Sequence, residues 1–405
     1  MSAAPPSAGP TSKGRLKQGS IGLVLSGGGA RGAYEVGVLK YVADRLPHLL
    51  DRVSVITGTS VGAVNAMHLA SYGLSRTAVN RLADLWSHLT IDELIGVAPL
   101  NMLRMVGTAP LRFIKRGMRS PAAGLLRADP LWKLIARETD WVGLGMHLAR
   151  GRFDAVALAG TDIQTGDTHL WVQGTGETVR ALTGPTPMAD FVAVPSKLGL
   201  RHVLASAAIP LLFPPIQIGG KWFMDGGVRH NTPLGPALRF GAESLLVVSV
   251  RGERTQDIAS HRFPGIGQVV GKLLDSIFLD RVAYDLDRLQ RINDVVLAAE
   301  SLGPEEAMRF HAKLVEMGRP NYRPVSHAAV SPSEDLGLIA ARAIRESEQI
   351  PNVSFIRVLS ALFEDDERAS GDAASFLLFD SRFTRQLIDL GMQDAARQHD
   401  ELAAL

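Results

Sequence analysis

The sequence predicts an α/β fold in which a mostly parallel sheet carries helices on its faces. Two stretches, beginning at Ile21 and Val53, each indicate a short buried strand, a glycine-containing turn and then a helix, and residues 244–250 form a third apolar run of strand length. Parallel strands need a long crossover connection, usually a helix, so this repeated order favours a parallel sheet. Sites in such sheets lie beyond the carboxyl ends of the strands, and we therefore expect both turns at one edge.

The first unit opens the ordered part of the chain. Residues 21–25 are apolar or glycine and predict a strand, and residues 33–46 place apolar side chains at helical spacing and predict a helix that Pro47 ends. Between them lies a glycine loop, residues 26–32 (SGGGARG). Residues 1–19 are rich in Ala, Pro, Ser and Gly and lack the apolar core of a signal peptide, which predicts a disordered tail.

The glycine loop fits two chemistries. Gly27, Gly29 and Gly32 match the Gly-x-Gly-x-x-Gly fingerprint, which makes a nicotinamide or flavin protein a rival interpretation. That fold needs an acidic residue at the end of the second strand, whereas Asp51 precedes this strand. The other function of such a glycine loop is to form an oxyanion hole, in which backbone N–H groups face a developing negative charge. Arg31 would orient the loop or attract a phosphate, or would simply be solvated.

The second unit carries the pentapeptide 58–62 (GTSVG) between a β-branched strand and a helix of small residues. In this context the pattern indicates a nucleophile elbow, and Gly58 and Gly62 flank the serine because neighbouring backbone leaves no room for side chains. Ser60 would then lie at the positive end of a helix, where negative charge is favoured. An ordinary strand-to-helix loop is the alternative interpretation. A serine elbow in the neighbouring turn favours the interpretation of the glycine loop as an oxyanion hole.

Asp225 is the best-placed candidate for the base that a hydrolytic serine needs. It lies in segment 221–227 (KWFMDGG), between an apolar strand end and the pair Gly226 and Gly227. Asp-Gly is a common turn pair, so a turn aspartate is the alternative.

A histidine base is the competing hypothesis. A triad in the order Ser60, Asp225 and then His230 or His261 is conceivable, but His230 follows Asp225 too closely and no strand end frames His261. His68 lies two turns into the elbow helix, which indicates packing. A direct Ser60–Asp225 dyad requires a carboxylate more basic than a free Asp, whose pKa is about 3.9, and partial burial would raise that basicity.

Other stretches predict the surrounding elements. Residues 77–89 indicate an amphipathic helix, and residues 154–160 a strand that turns at 165–167 into the second arm of a hairpin, residues 169–172. Residues 204–210 predict a short helix that ends at proline.

Composition and charge exclude several classes of protein. The 405 residues are 46% hydrophobic and carry a formal net charge of +2, so we expect no nucleic-acid partner held by a basic excess. With 0 Cys there is no disulfide, thiolate zinc site or cysteine nucleophile, and no His/Asp/Glu cluster has ligand spacing, so we expect no metal and no other cofactor. No apolar run approaches the roughly 20 residues that span a bilayer. We expect a cytoplasmic protein, either free or peripherally bound to a membrane.

Two further regions have distinct character. Residues 101–128 carry basic and apolar side chains and no acidic one, which predicts either contact with an anionic lipid surface or the solvated face of a lid-like insertion. Residues 301–405 are charged and predict helices, and apolar positions at helical spacing within 333–349 indicate packing on the main domain.

Four blocks, residues 27–32, 58–62, 205–215 and 225–227, resemble the patatin-like phospholipase family and occur in the family's order. The resemblance covers roughly residues 19–250 and continues loosely through residues 275–293 and near residues 377–380. It implies a three-layer α/β/α fold and a Ser-Asp dyad acyl hydrolase that is usually independent of calcium.

Matched residue by residue, the resemblance implies Ser60 as nucleophile, Asp225 as base, and Gly27, Gly28 and Gly29 as the oxyanion hole. The residues implied to support the elbow and loops are Arg31, Gly32, Gly58, Gly62, Gly226 and Gly227. The expected activity is that of a phospholipase A or lysophospholipase type of lipid esterase that works through an acyl-enzyme. The alternative is a catalytically silent or activator-dependent lipid-binding or scaffold protein on the same fold.

The expected organisation is a tail over residues 1–19, a hydrolytic domain over 20–300 with an insertion near 90–150, and a packed helical extension over 301–405. The expected partner is a lipid or phospholipid ester, with transient membrane contact and no nucleic acid. The sequence leaves the oligomeric state open.

Overall fold

The computed structural model describes most of the chain but not all of it. The described residues are 19–90, 129–176, 178–179, 191–210, 212–229, 234–252, 282–317, 319, 322–347, 371–372 and 374–405. The predicted tail up to residue 18, the basic segment 101–128, His230 and His261 therefore lie outside the described residues.

The described residues form one sheet of nine strands. The strands are β1 (Ile21–Leu25), β2 (Val53–Thr59), β3 (Ala155–Asp162), β4 (Thr168–Gly174), β5 (Phe191–Pro195), β6 (Ile216–Ile218), β7 (Lys221–Asp225), β8 (Ser244–Val248) and β9 (Ser326–Val330). The helices of the first half are α1 (Gly32–Arg45), α2 (Pro47–Arg52), α3 (Val61–Ser71), α4 (Arg76–His88), α5 (Asp129–Glu138), α6 (Gly143–Ala149) and α7 (Leu200–Ser206). The helices of the second half are α8 (Leu234–Phe240), α9 (Val282–Ser301), α10 (Pro304–Glu316), α11 (Leu336–Ser347), α12 (Ser381–Arg397) and α13 (His399–Ala403).

The sheet is mostly parallel, as the sequence predicted. Its main path runs β5-β4-β3-β2-β1-β8-β9, and β1 pairs in parallel with β2 on one side and β8 on the other. The β3–β4 hairpin is antiparallel, and β7 pairs antiparallel with β3 and with β6. Because β1 and β2 are parallel neighbours, the loops after them emerge at the same edge, as expected.

Helices cover both faces of the sheet. Alternate residues of a strand face opposite sides, and Leu23 and Leu246 join one apolar cluster while Val24 and Leu245 join another. The central strands β1, β2, β3 and β8 are buried along their whole length, which accounts for their near-continuous apolar sequences. The result is the three-layer α/β/α arrangement that the family resemblance implied.

The C-terminal region packs onto the main layers. The Tyr34 hydroxyl on α1 donates a hydrogen bond of 3.0 Å to the Asp394 carboxylate on α12, and both side chains are buried. Among its described residues, the regular elements are helices apart from β9, which extends the sheet beside β8. This strand was not predicted, because its five residues (SHAAV) contain an apolar run of only three.

The helix predicted at residues 204–210 was placed wrongly, because α7 spans Leu200–Ser206. Gly199 is the N-cap residue of α7, and its N–H donates a hydrogen bond of 3.1 Å to the imidazole Nδ1 of His202. In the described part of the chain, every helix is too short or too polar to cross a membrane.

Candidate active site

Ser60 occupies the sharp turn between β2 and α3. Its backbone has φ 55° and ψ −126°, a conformation that a non-glycine residue adopts only under constraint. Backbone crowds the turn on both sides: a Cβ on Gly58 would lie 2.5 Å from the Gly62 carbonyl oxygen, and a Cβ on Gly62 would lie 2.5 Å from that of Ser26. The local geometry is that of a nucleophile elbow.

Asp225 ends β7 and faces this turn. The Ser60 hydroxyl donates a hydrogen bond of 2.6 Å to Asp225 Oδ2, and the Gly227 N–H donates one of 2.7 Å to Oδ1. The Asp225 N–H donates to the Ala208 carbonyl at 2.9 Å. Ser60 is 2% exposed and Asp225 is 0% exposed. Two residues that lie 165 positions apart in the sequence are thus joined in a buried pair.

The environment of Asp225 raises its basicity. Burial raises the pKa of the Asp225 carboxyl to about 7, although the hydrogen bonds from Ser60 and Gly227 oppose the shift. The histidine alternatives are not tested by this geometry, since His230 and His261 lie outside the described residues.

Ser206 is a contact that the sequence analysis did not single out. The Ser60 N–H donates a hydrogen bond of 3.0 Å to the Ser206 hydroxyl at the end of α7, and Ser206 is fully buried. This contact helps to hold the strained backbone of the elbow. The only signal in the sequence was that Ser206 falls inside the block 205–215 of the family resemblance.

The glycine loop lies beside the elbow and is held from outside by residues 374–379, which we call the clamp segment. The Ala30 N–H donates a hydrogen bond of 2.9 Å to the Phe376 carbonyl oxygen. Gly29 has φ 58°, and a Cβ on it would lie 2.1 Å from the same oxygen. Gly29 also borders the cleft that reaches Ser60.

Arg31 anchors the loop to the same part of the chain. It is 3% exposed, so the solvated interpretation is wrong. Its Nε donates a hydrogen bond of 2.8 Å to the Ser375 hydroxyl, and its guanidinium carbon lies 4.0 Å from the centre of the Phe376 ring. A terminal nitrogen also donates to the Asp372 carbonyl oxygen at 3.3 Å. These contacts hold the loop in place from the C-terminal third of the chain.

A buried carboxyl group connects the helices around the site. Asn65 Nδ2 donates hydrogen bonds to Glu35 Oε2 at 2.9 Å and to the Gly32 carbonyl at 3.1 Å. The Trp86 indole N–H donates to Asn65 Oδ1 at 3.0 Å. Burial raises the pKa of Glu35 to about 8, against the opposing hydrogen bonds from Asn65 and Ser26. No sequence signal pointed to this network, because its members are isolated polar residues in helices.

A cleft of about 800 Å³, its open mouth included, reaches Ser60. Its walls are mostly apolar and include Val64, Leu82, Leu85, Trp86, Leu134 and Ile135. His68, for which the sequence indicated packing, is buried but also borders the cleft, together with Glu138 and Thr139. The cleft suits an extended apolar ligand more than a polar one.

Other candidates are not brought to the site. Asp51, weighed as the acid of a dinucleotide site, lies in α2 with its side chain 78% exposed and 3.3 Å from Arg152. Within the described ranges, no three His, Asp or Glu side chains are grouped so as to hold a metal ion.

Comparison with known proteins decides the family. A model described as patatin-like phospholipase matches residues 23–238, more than half of the 405 residues. The chain belongs to the patatin-like phospholipase family.

The relatives found by sequence are larger proteins. Lysophospholipase NTE1 of Mycosarcoma maydis is 24% identical over 244 residues, which cover 58% of this chain and 10% of that protein. An NTE family protein of Mycobacterium tuberculosis is 28% identical over 219 residues, which cover 54% of this chain and 28% of the relative. The chain therefore matches only a part of these relatives.

Solved structures resemble the chain weakly. VipD from Legionella pneumophila has a TM-score of 0.35 and 16% identity, with 92% of this chain and 67% of that chain covered. A human GIVD cytosolic phospholipase A2 has a TM-score of 0.32 and 14% identity, with 56% and 39% covered. Likeness at this level carries no argument about activity.

Proposed function

We propose that this patatin-like protein is a serine acyl hydrolase that cleaves lipid esters of the phospholipase A or lysophospholipase type. The observation that carries the proposal is the 2.6 Å hydrogen bond from the Ser60 hydroxyl to the buried Asp225 carboxylate. A hydroxyl becomes a nucleophile when a base accepts its proton, and a carboxyl group with a pKa of about 7 is partly ionised at neutral pH.

The reaction proceeds in two halves. Ser60 Oγ attacks the ester carbonyl carbon while Asp225 accepts the hydroxyl proton, and collapse of the tetrahedral intermediate breaks the bond to the alcohol, which takes that proton. Water then attacks the acyl-serine ester with Asp225 again accepting the proton, and the acid leaves as Ser60 is regenerated.

Backbone N–H groups of Gly27, Gly28 and Gly29 stabilise the negative charge on the carbonyl oxygen in both halves. The Ala30 N–H is committed to the Phe376 carbonyl and is not assigned to this role. The clamp segment keeps the loop in place, which matters because a preorganised donor costs no reorganisation during the reaction.

The substrate class rests on the cleft. Its mostly apolar walls suit an acyl chain whose ester carbonyl lies at Ser60. The name of the relative NTE1, a lysophospholipase, favours a lipid ester, and such a substrate implies contact with a membrane surface or micelle.

The test is fluorophosphonate labelling together with hydrolysis of a nitrophenyl ester, in wild type, Ser60→Ala and Asp225→Asn. We expect labelling to vanish in Ser60→Ala and turnover to fall by about 10⁴-fold in each variant, since removal of one member of a catalytic unit has an effect of this size. Ser301→Ala and Asp51→Asn change exposed residues of the same types and should match wild type.

Circular dichroism and thermal melts establish that each variant is folded. Turnover within tenfold of wild type in either active-site variant would refute the dyad. Well-folded wild type that neither labels nor hydrolyses an ester would instead favour the lipid-binding or scaffold alternative.

A further inference from the structure

The glycine loop, residues 26–32, is bound at both ends by two buried polar side chains, which we call the Glu35–Asn65 pair. At the first residue of the loop, the Ser26 hydroxyl donates a hydrogen bond of 3.5 Å to Glu35 Oε1, and the Ser26 backbone interacts with the same carboxyl group. At the last residue, the Gly32 carbonyl oxygen accepts a hydrogen bond of 3.1 Å from Asn65 Nδ2. A hydrogen bond of 2.9 Å from Asn65 Nδ2 to Glu35 Oε2 joins the two side chains. Both ends of the loop are therefore fixed relative to the pair.

Asn65 belongs to the helix that follows the proposed nucleophile. It lies in α3, which begins directly after Ser60, and at a rise of about 1.5 Å per residue it lies about 7.5 Å further along the helix axis. Less than two turns of continuous helix separate the two residues. A shift of Asn65 relative to the glycine loop is therefore also a shift of Ser60 relative to that loop.

The side-chain amide of Asn65 has one orientation that satisfies its surroundings. Its Oδ1 accepts a hydrogen bond of 3.0 Å from the indole N–H of Trp86, a group that can only donate. The two hydrogens on Nδ2 therefore face Glu35 and the Gly32 carbonyl oxygen. Asn65 is 0% exposed, and burial of an amide has a desolvation cost that hydrogen bonds of this kind offset. An apolar residue of similar size would avoid that cost but could not bind the loop.

Glu35 completes the connection without introducing a full charge at neutral pH. It is 0% exposed, and burial raises the pKa of its carboxyl group to about 8, so most of the group is protonated at pH 7. The Ser26 hydroxyl that it contacts also accepts a hydrogen bond of 3.2 Å from the Val250 N–H, two residues after β8. The start of the loop is thus fixed to the sheet as well as to α3.

The clamp segment and the Glu35–Asn65 pair hold different parts of the loop. The clamp segment binds Ala30 and Arg31, which lie between the ends, to the C-terminal third of the chain. The pair binds the two ends to the helix behind the elbow. The clamp segment therefore fixes the loop in the protein, and the pair fixes it relative to Ser60.

We propose that Asn65 and Glu35 are positioning residues for ester hydrolysis, which set the distance from the N–H groups of the glycine loop to the ester carbonyl at Ser60. The proposal deepens the proposed function and rests on it. The oxyanion must lie within hydrogen-bond distance of its donors, and a misplacement of about 1 Å costs about 100-fold in rate. The pair itself does not border the cleft, so we expect it to affect kcat far more than KM.

The experiment measures kcat and KM for a short-chain nitrophenyl ester. Asn65→Leu, which removes the amide at similar size, should lower kcat by about 100-fold and change KM by no more than about twofold. Glu35→Leu should give a similar loss. The double variant should also lose about 100-fold, rather than the roughly 10⁴-fold expected of independent residues, because both side chains act through one hydrogen-bonded pair. Glu35→Gln keeps a carbonyl oxygen for Asn65 and should stay within about tenfold of wild type.

Asn293→Leu is the matched control. Asn293 is likewise a buried asparagine in a helix, and its side-chain amide both donates to and accepts from the backbone of Val325, at 2.8 Å and 3.0 Å. The substitution should lower Tm, because it removes these hydrogen bonds, but it should leave kcat unchanged. Comparison with Asn65→Leu then separates the effect on the reaction from the general cost of removing a buried amide.

A transition-state analogue separates positioning from loss of active protein. With a short-chain trifluoromethyl ketone, Ser60 Oγ bonds to the carbonyl carbon, Asp225 accepts the hydroxyl proton, and the former carbonyl oxygen takes up the electron pair as an oxyanion. In Asn65→Leu the Ki of this inhibitor should rise by the same factor by which kcat/KM falls. A preparation that is partly inactive would instead show a lower kcat with an unchanged Ki, and fluorophosphonate titration counts its reactive fraction.

Three outcomes overturn the proposal: a folded Asn65→Leu protein with kcat within about threefold of wild type, an unchanged Ki while kcat falls, or an equal loss of kcat in Asn293→Leu. Should Asn65→Leu not fold, Asn65→Asp decides. It keeps the size and one oxygen for Trp86 but replaces the nitrogen that binds Gly32 and Glu35, so kcat should fall at least about tenfold, and a wild-type kcat overturns the proposal. Turnover by wild type and its loss in Ser60→Ala test the proposed function separately, so the two failures are distinguishable.

Discussion

A single methyl group at Gly29 tests whether the clamp segment holds the glycine loop in its working position. In Gly29→Ala the new Cβ would lie 2.1 Å from the Phe376 carbonyl oxygen, whereas ordinary contact begins at 3.4 Å. The loop and the clamp segment must therefore separate by more than 1 Å. That movement breaks the hydrogen bond from the Ala30 N–H to the same oxygen.

The size of the effect follows from two contributions. Left-handed backbone costs an alanine about 1–2 kcal/mol, and the lost hydrogen bond costs about 0.5–1.5 kcal/mol. We expect the free energy of unfolding to fall by about 2–3 kcal/mol. Displacement of the loop should lower kcat by about 100-fold, the lower end of the range for loss of one oxyanion-hole donor, while KM changes little.

Urea unfolding and steady-state ester hydrolysis measure the two effects in the same preparation. Gly145→Ala is the matched control, since Gly145 lies in α6 and a Cβ on it would meet nothing within 4 Å, and it should leave kcat unchanged. A folded Gly29→Ala protein with wild-type kcat would refute the view that the position of the loop matters for turnover.

Two further predictions concern protonation. Because Asp225 must be ionised to accept a proton and its pKa is raised to about 7, kcat/KM should rise with pH through about 7 and then level off; a profile that is flat or falls from pH 5 to 9 would contradict its role as base. Burial raises the pKa of Glu35 from 4.5 to about 8 in the folded protein. Between these two pH values Glu35 has lost its proton in the unfolded chain but keeps it in the folded protein, so the free energy of unfolding falls as the pH rises. Glu35→Gln should therefore gain stability relative to wild type over this window, by up to about 1.4 kcal/mol per pH unit in urea unfolding, whereas a difference independent of pH would show that Glu35 does not titrate there.

Local patterns were enough to predict the fold class. The apolar runs before the glycine loop and before Ser60 are followed by glycine turns and helical periodicity, and these features depend only on neighbours in the chain. The same patterns identified Ser60, Asp225 and the glycine loop as candidates before any distance was known. Their catalytic roles stay predictions until the variants are measured.

Contacts between distant segments could not be predicted in this way. The clamp segment holds Arg31 and the glycine loop across more than 340 residues. The family resemblance extended loosely to residues 377–380, but the sequence did not indicate that this segment contacts the glycine loop. The raised pKa of Asp225 and the Glu35–Asn65 hydrogen bond both depend on how these side chains are buried when the layers pack.

The sequence by itself determined the strand–turn–helix units and the residue types that suit ester chemistry, because backbone sterics and apolar spacing are local properties. The tertiary structure alone decided which carboxylate meets the Ser60 hydroxyl, which segment braces the glycine loop and where the cleft becomes polar. Burial and hydrogen bonding between remote residues arise only when the layers pack, so no local pattern encodes them.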